Sequence, residues 1–189
     1  MLSAILNLFG CSQKSNKNKE SAISEGKVLT EEIIDSATDE DLLQIVFDNL
    51  FGKFSGDYEK EYETVLTWTR PQQAIYEIWL LGAEVNNGGF NQFYFNSSGQ
   101  FYKLLPASLR LVGANKFAEL TERANEIYEK EHEKITKHQD GTIEGFSKSY
   151  DDNPLNDLDD EFYKLYQEEN LYALQIDYIR KNKSDFVDK

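Results

Sequence analysis

Residues 71–99, PQQAIYEIWLLGAEVNNGGFNQFYFNSSG, decide the fold. From Ala74 to Val85 the segment is apolar on nearly every side, with only Glu77 and Glu84 charged. A helix that is apolar all round has to be enclosed by other elements. Pro71 suits its first turn, where a missing N–H is no loss. The run Asn86-Asn87-Gly88-Gly89 tolerates the left-handed backbone of a helix C-cap. The stretch therefore predicts a buried central helix over about residues 71–87 that stops at an elbow. Phe90, Phe93, Tyr94 and Phe95 make that elbow aromatic, and Asn96-Ser97-Ser98-Gly99 closes it as a turn.

Helical signals continue on both sides. Thr30 precedes Glu31 and Glu32 as an N-cap before acids of a first turn, and Thr38 with Asp41 repeats the pattern. Leu42 to Phe51 supplies a broad apolar face, and Tyr58, Tyr62, Val65 and Leu66 space a further helix. Downstream, a helix is expected from Pro106 to Gly113 and a long one from about Asn115 to His138. Shorter helices are expected over Ile143–Tyr150, Glu161–Gln167 and Leu171–Lys181, with an acidic loop from Asp151 to Asp160. Only three prolines occur, and no stretch alternates over the length of a strand. The expectation is an all-α, single-domain, non-repeating array of about eight helices around the buried central one.

A chain of 189 residues suffices for one such core. Residues 12–27 are polar and low in complexity, so residues 1–27 read as a flexible N-terminal segment and linker, and residues 28–189 as an acidic helical domain. Cys11 is the only cysteine, which excludes an intrachain disulfide and a cysteine-based metal site. No run approaches a membrane span. Leu8-Phe9-Gly10-Cys11 is shaped like a lipoprotein cleavage box, yet no Lys or Arg precedes the apolar stretch. A cytoplasmic protein is the reading, with a lipoprotein anchored through Cys11 as the alternative.

Motifs for chemistry are sparse. His132 and His138 stand six residues apart, about 600° of helical rotation, so they do not share a face as zinc-protease ligands must. No phosphate-binding glycine loop or serine nucleophile elbow is present. Asp157-x-Asp159-Asp160-Glu161 lacks the glycine and the terminal glutamate of a calcium loop. No metal or cofactor is expected. Glu84 is the one carboxylate placed on a face that reads as buried, where it has to be hydrogen-bonded. Asn86, Gln92 and Asn96 are the amides nearest to it. With Gly88, Gly89 and Phe90 they read as a polar network that fixes the elbow, and alternatively as a small-ligand or catalytic site.

The net charge is −14; residues 1–30 hold four lysines against two glutamates, so the remainder carries −16. A body that anionic repels nucleic acid and attracts basic partners. Two zones contain no Lys or Arg. Residues 31–48 hold Glu31, Glu32, Asp35, Asp39, Glu40, Asp41 and Asp48, and residues 151–161 hold Asp151, Asp152, Asp157, Asp159, Asp160 and Glu161. Glu119, Glu122, Glu126, Glu129 and Glu133 form a third line, but Arg123 and Lys130 follow Glu119 and Glu126 at i+4 and are expected to neutralise it in part. Carboxylates about 5–6 Å apart on a helix face roughly copy a row of phosphates.

Glu84-Val85-Asn86-Asn87-Gly88-Gly89-Phe90-Asn91-Gln92-Phe93, closing with Asn96-Ser97-Ser98-Gly99, resembles the signature of the bacterial DNA-mimic protein family. Leu104 to Gly113 and Asp157 to Tyr163 are also similar to family features, and the resemblance spans roughly Leu42 to Phe186. It implies an all-α fold, a homodimer, and binding to a DNA-binding protein in place of DNA. The expected function is a non-enzymatic acidic binding protein that occupies the basic DNA-binding surface of a partner through the two cation-free zones. The alternatives are an inhibitor or immunity factor for a basic nuclease or toxin, and a small-ligand binder or enzyme built on Glu84, Asn86, Gln92 and Asn96.

Overall fold

In the computed structural model, residues 28–54 and 58–188 are described. The expectations for the N-terminal segment and Cys11 lie outside them. Ten α-helices and no strand occur among the described residues: α1 (Glu31–Ser36), α2 (Asp39–Phe51), α3 (Glu61–Leu66), α4 (Arg70–Phe95), α5 (Leu105–Leu111), α6 (Asn115–Lys130), α7 (His132–Thr136), α8 (Ile143–Lys148), α9 (Asn156–Leu165) and α10 (Leu171–Lys181). The all-α architecture follows the apolar periodicity. No helix of the described residues is long and apolar enough to cross a membrane.

Local signals placed several helix starts. Thr30 accepts from the N–H of Ile33, and Thr38 from that of Asp41, as N-caps do. Thr69 and Gln72 form a reciprocal capping box at the head of α4, with Pro71 in its first turn. α4 then runs through the core. Ala74, Ile75, Tyr76, Ile78, Leu81 and Val85 are buried along it, and Trp79 stacks on Phe47 of α2 with ring centroids 3.6 Å apart. α4 packs on α2, α5 and α9, α6 packs on α5 and α9, and α10 on α2. Phe162 of α9 meets Phe90 and Phe117 edge to face at 5.7 and 5.2 Å, joining α4, α6 and α9.

Two expectations are corrected and one is extended. The central helix leaves helical geometry after Asn87, as expected, but the chain does not turn away. Only Gly88 (φ −155°, ψ 30°) and Gly89 (φ 70°, ψ −177°) leave helical geometry, and the helix resumes through Phe95. The backbone groups freed by this bend are caught by side chains from another part of the chain, so the elbow is a joint within one long helix. The long helix expected to reach His138 breaks at Glu131, into α6 and α7, although no glycine or proline marks the place. The acidic loop is shorter than expected: α9 begins at Asn156, which puts Asp157 and Asp159 in its first turn.

Gly89 occupies a backbone region open essentially to glycine alone, and a Cβ there would collide with the Asp159 carboxylate. Gly89→Ala should therefore destabilise the fold by about 2 kcal/mol or more in urea denaturation. Gly141→Ala, at φ 77° with open space around it, should cost about 1 kcal/mol. Equal costs at the two sites would contradict the joint as described.

Candidate functional site

The elbow is a dense polar network around Glu84, which is 5% exposed. Gln92 Nε2 donates to Glu84 Oε2 at 2.6 Å, Asn96 Nδ2 donates to the same oxygen at 2.8 Å, and Ser98 Oγ donates to Oε1 at 3.1 Å. Asn87 Nδ2 donates to Gln92 Oε1 at 2.8 Å and fixes that amide in turn. Gln92 and Asn96 therefore do what their sequence positions suggest. Asn86 does not. Its amide is exposed and donates to the Gly82 carbonyl at 2.7 Å, and Ser98 fills the place expected for it. Glu61 lies close by, accepting from the Tyr76 hydroxyl at 2.7 Å; burial holds its carboxyl above the usual range.

The joint itself is closed by residues beyond α7. Asp159 Oδ1 accepts from the Phe90 N–H at 2.8 Å, acting as an N-cap supplied from 69 residues away for the resumed part of α4. Tyr150 donates to the Gly88 carbonyl and Tyr163 to that of Val85, each at 2.8 Å. Asn91 Nδ2 donates to Ser149 Oγ, and Asn153 Nδ2 to Asn91 Oδ1, at 2.8 and 2.6 Å. Asp159, Tyr150, Tyr163, Ser98 and Asn153 are the elbow residues that the sequence did not reveal. Two surface hollows occur elsewhere, one lined by Lys53, Thr69, Gln72 and residues 184–188 and one by Tyr102, Lys103, Tyr128, Glu129 and His132; no elbow residue lines either. The polar side chains of the elbow are bonded to one another and to the backbone of the joint.

The acidic zones are altered by tertiary cations that no sequence window shows. Arg180 Nη2 pairs with Asp39 at 2.6 Å and also donates to the Ile34 and Ala37 carbonyls, and Lys183 pairs with Asp35. Arg123 pairs with Glu161 at 2.6 Å rather than with Glu119. Lys130 lies 3.9 Å from Glu131, so neither expected i+4 pair on the long helix forms. Arg110 instead holds Glu122 with two bonds of 2.7 Å, and its guanidinium lowers the Glu122 pKa. Asp159 is turned inward, as above. The members that remain exposed without an ion pair to the described residues are Glu31, Glu32, Glu40, Asp41, Asp151, Asp152, Asp157 and Asp160. No cluster able to hold a metal ion exists among the described residues.

Burial raises the Asp159 pKa above 3.8, outweighing the Phe90 N–H that favours the carboxylate. The folded state thus binds this proton more tightly than the unfolded chain, and the associated stability is lost as pH rises from about 4 through the raised value. Asp159→Asn keeps an oxygen for the Phe90 N–H but cannot ionise. Its stability relative to the parent should rise across that window, in urea denaturation from about pH 4 to 7. Asp159→Ala, which removes the cap, should cost about 1 kcal/mol.

The DMP19-like protein family model matches residues 66–182, a span that includes α4, the elbow and α9. No curated protein and no solved structure matches the chain. The family match covers well over half of the sequence, and the chain belongs to the DMP19-like protein family.

Proposed function

We propose that the chain is a non-enzymatic anionic binding protein that mimics DNA and occupies the basic DNA-binding surface of a partner protein. Family membership and the resemblance carried by residues 84–99 support this reading. One observation carries it: eight exposed carboxylates of the two zones have no ion pair among the described residues.

Helix dipoles account for part of this. Glu31, Glu32, Glu40, Asp41 and Asp157 stand in first turns, where a negative charge is favoured. Asp151, Asp152 and Asp160 do not have that support. Solubility alone asks for both signs interspersed over the surface; here Arg180, Lys183 and Arg123 reach three acids of the two zones and leave the eight unpaired. The repulsion left among the unpaired acids would be relieved by a cationic surface brought from outside. The row on α6 extends the pattern, because Glu119 and Glu126 lost their expected partners to other pairings. From Glu119 to Glu129 four carboxylates span about 15 Å, one per ~5 Å against 3.4 Å per phosphate along one DNA strand. Of these, Arg110 holds Glu122 and Lys103 lies 3.9 Å from Glu129, so Glu119 and Glu126 are the unpaired members of the row among the described residues.

The test is capture of partners from lysate at low salt, followed by competition with duplex DNA for the captured protein. DNA should displace the chain, and affinity should fall by at least about tenfold between 50 and 200 mM salt. The triple variant Asp151→Asn, Asp152→Asn, Asp160→Asn, at acids outside helix first turns, should bind weakly while unfolding at nearly the parent's denaturant midpoint. A ternary complex with DNA, or affinity indifferent to salt, would overturn the reading.

A further inference from the structure

The hollow at the C-terminal end of α6 lies outside both acidic zones. Tyr102, Lys103, Tyr128, Glu129 and His132 line it, and it has a volume of about 560 Å³. Its aromatic walls stand at steep angles to one another. Tyr128 meets Tyr102 at 72° with ring centroids 5.4 Å apart, and meets His132 at 86° and 5.1 Å. Tyr94 backs this corner, stacked on Tyr128 at 4.2 Å and 15°. Asn125 ties the parts together, accepting from the Tyr94 hydroxyl at 2.6 Å and donating to the Tyr102 carbonyl at 2.8 Å. The walls are thereby fixed before anything binds.

The chain's own lysine shows what the hollow attracts. Lys103 Nζ lies 5.4 Å from the centroid of the Tyr102 ring and 3.9 Å from Glu129 Oε1. A cation over an aromatic face beside a carboxylate is a favourable arrangement. Lys103 fills it loosely, with its side chain 70% exposed. The Tyr102 hydroxyl also donates to Glu129 Oε1, at 3.1 Å, so both contacts fall on one oxygen and Oε2 is taken by neither. A guanidinium suits the vacant part better than an ammonium does. It is planar, stacks on a ring, and presents two donors in a fork that fits a carboxylate.

We propose that this hollow receives an arginine side chain of the basic partner, stacked on an aromatic wall and bonded to Glu129, with Lys103 displaced. The inference rests on the function proposed above and names a chemical preference that the acidic zones do not supply. Glu129 belongs to the α6 row, so a partner lying along that row reaches the hollow. Tyrosine and arginine are both enriched among the residues that dominate binding energy in protein interfaces.

The experiment titrates the full chain with octa-arginine and octa-lysine, peptides of equal charge, following His132 and the tyrosine rings by NMR. Octa-arginine should bind about three- to tenfold tighter than octa-lysine. Lys103→Met should widen that ratio, and Lys164→Met, a change to an exposed lysine on α9, should leave it unaltered. Glu129→Gln should bring the ratio close to one while octa-lysine binding persists. Equal affinities in the parent, or a preference that survives Glu129→Gln, would overturn the inference and leave the wider reading intact. Binding of neither peptide would overturn both.

Discussion

An interrupted buried helix must find partners for the backbone groups that its interruption frees, and this requirement organises the molecule. At Gly88 and Gly89 the α4 ladder is broken inside the core, where an unpaired N–H or carbonyl costs about 1–3 kcal/mol. Asp159, Tyr150 and Tyr163 meet the need for Phe90, Gly88 and Val85. All three come from residues 150–163, which comprise most of α9 and the turn before it. The same bonds that close the joint therefore fix how α9 lies on α4. Asp157 and Asp160 stand next to Asp159 on that short helix and are exposed while Asp159 points in. The outward acids are aimed by an inward one.

This coupling explains why much of the stretch from Glu84 to Ser98 is buried. Glu84, Gln92, Asn96 and Ser98 form a closed set of hydrogen bonds, and the two glycines meet side chains so closely that a Cβ at either would collide. A sequence match over this region reports the joint. The surface that would meet a partner needs only carboxylates in suitable places, a weaker constraint on residue identity. Recognition of the fold is for that reason much sharper than recognition of the partner.

What the sequence made legible was what short-range chemistry decides. Thr30, Thr38 and Pro71 mark helix starts through bonds or dihedrals within four residues, and α10 has the bounds expected from its apolar spacing. The meaning of Gly88-Gly89 was not legible. Two glycines after a helix look the same whether the chain leaves or resumes, and the deciding residue, Asp159, lies 69 positions later. The same distance hides the ion pairs. Arg180 and Asp39 are 141 residues apart, and Lys183 and Asp35 are 148 apart, so a window over residues 31–48 shows no cation. On α6, helical spacing offered Arg123 both Glu119 and a tertiary partner, and the bond to Glu161 won. Asn86 and Ser98 differ in the same way, since reach to Glu84 depends on how the joint folds back.

Those long-range cations also change what the net charge means. Arg180 and Lys183 sit in the seam between α1, α2 and the C-terminal segment, with side chains 30% and 29% exposed, against 69% and 56% for Asp39 and Asp35. Arg180 additionally bonds the carbonyls that end α1, and Lys53 reaches Asp188 where that residue bonds Leu29. Arg70 is joined to the buried Glu77 and to Ser108. At Arg180 and Lys183 positive charge holds elements together along a partly covered seam while the paired Asp39 and Asp35 face outward; at Arg70 the order is reversed, with Glu77 buried beneath the guanidinium. An approaching molecule therefore meets the Asp39 and Asp35 carboxylates before the cations paired with them. With low-dielectric protein behind them and water in front, such carboxylates focus a negative field outward. Around Asp35 and Asp39 the surface is accordingly more anionic in its effect than two neutralised pairs would suggest, and it is the packing of α10 and the C-terminal segment on α1 and α2 that makes it so.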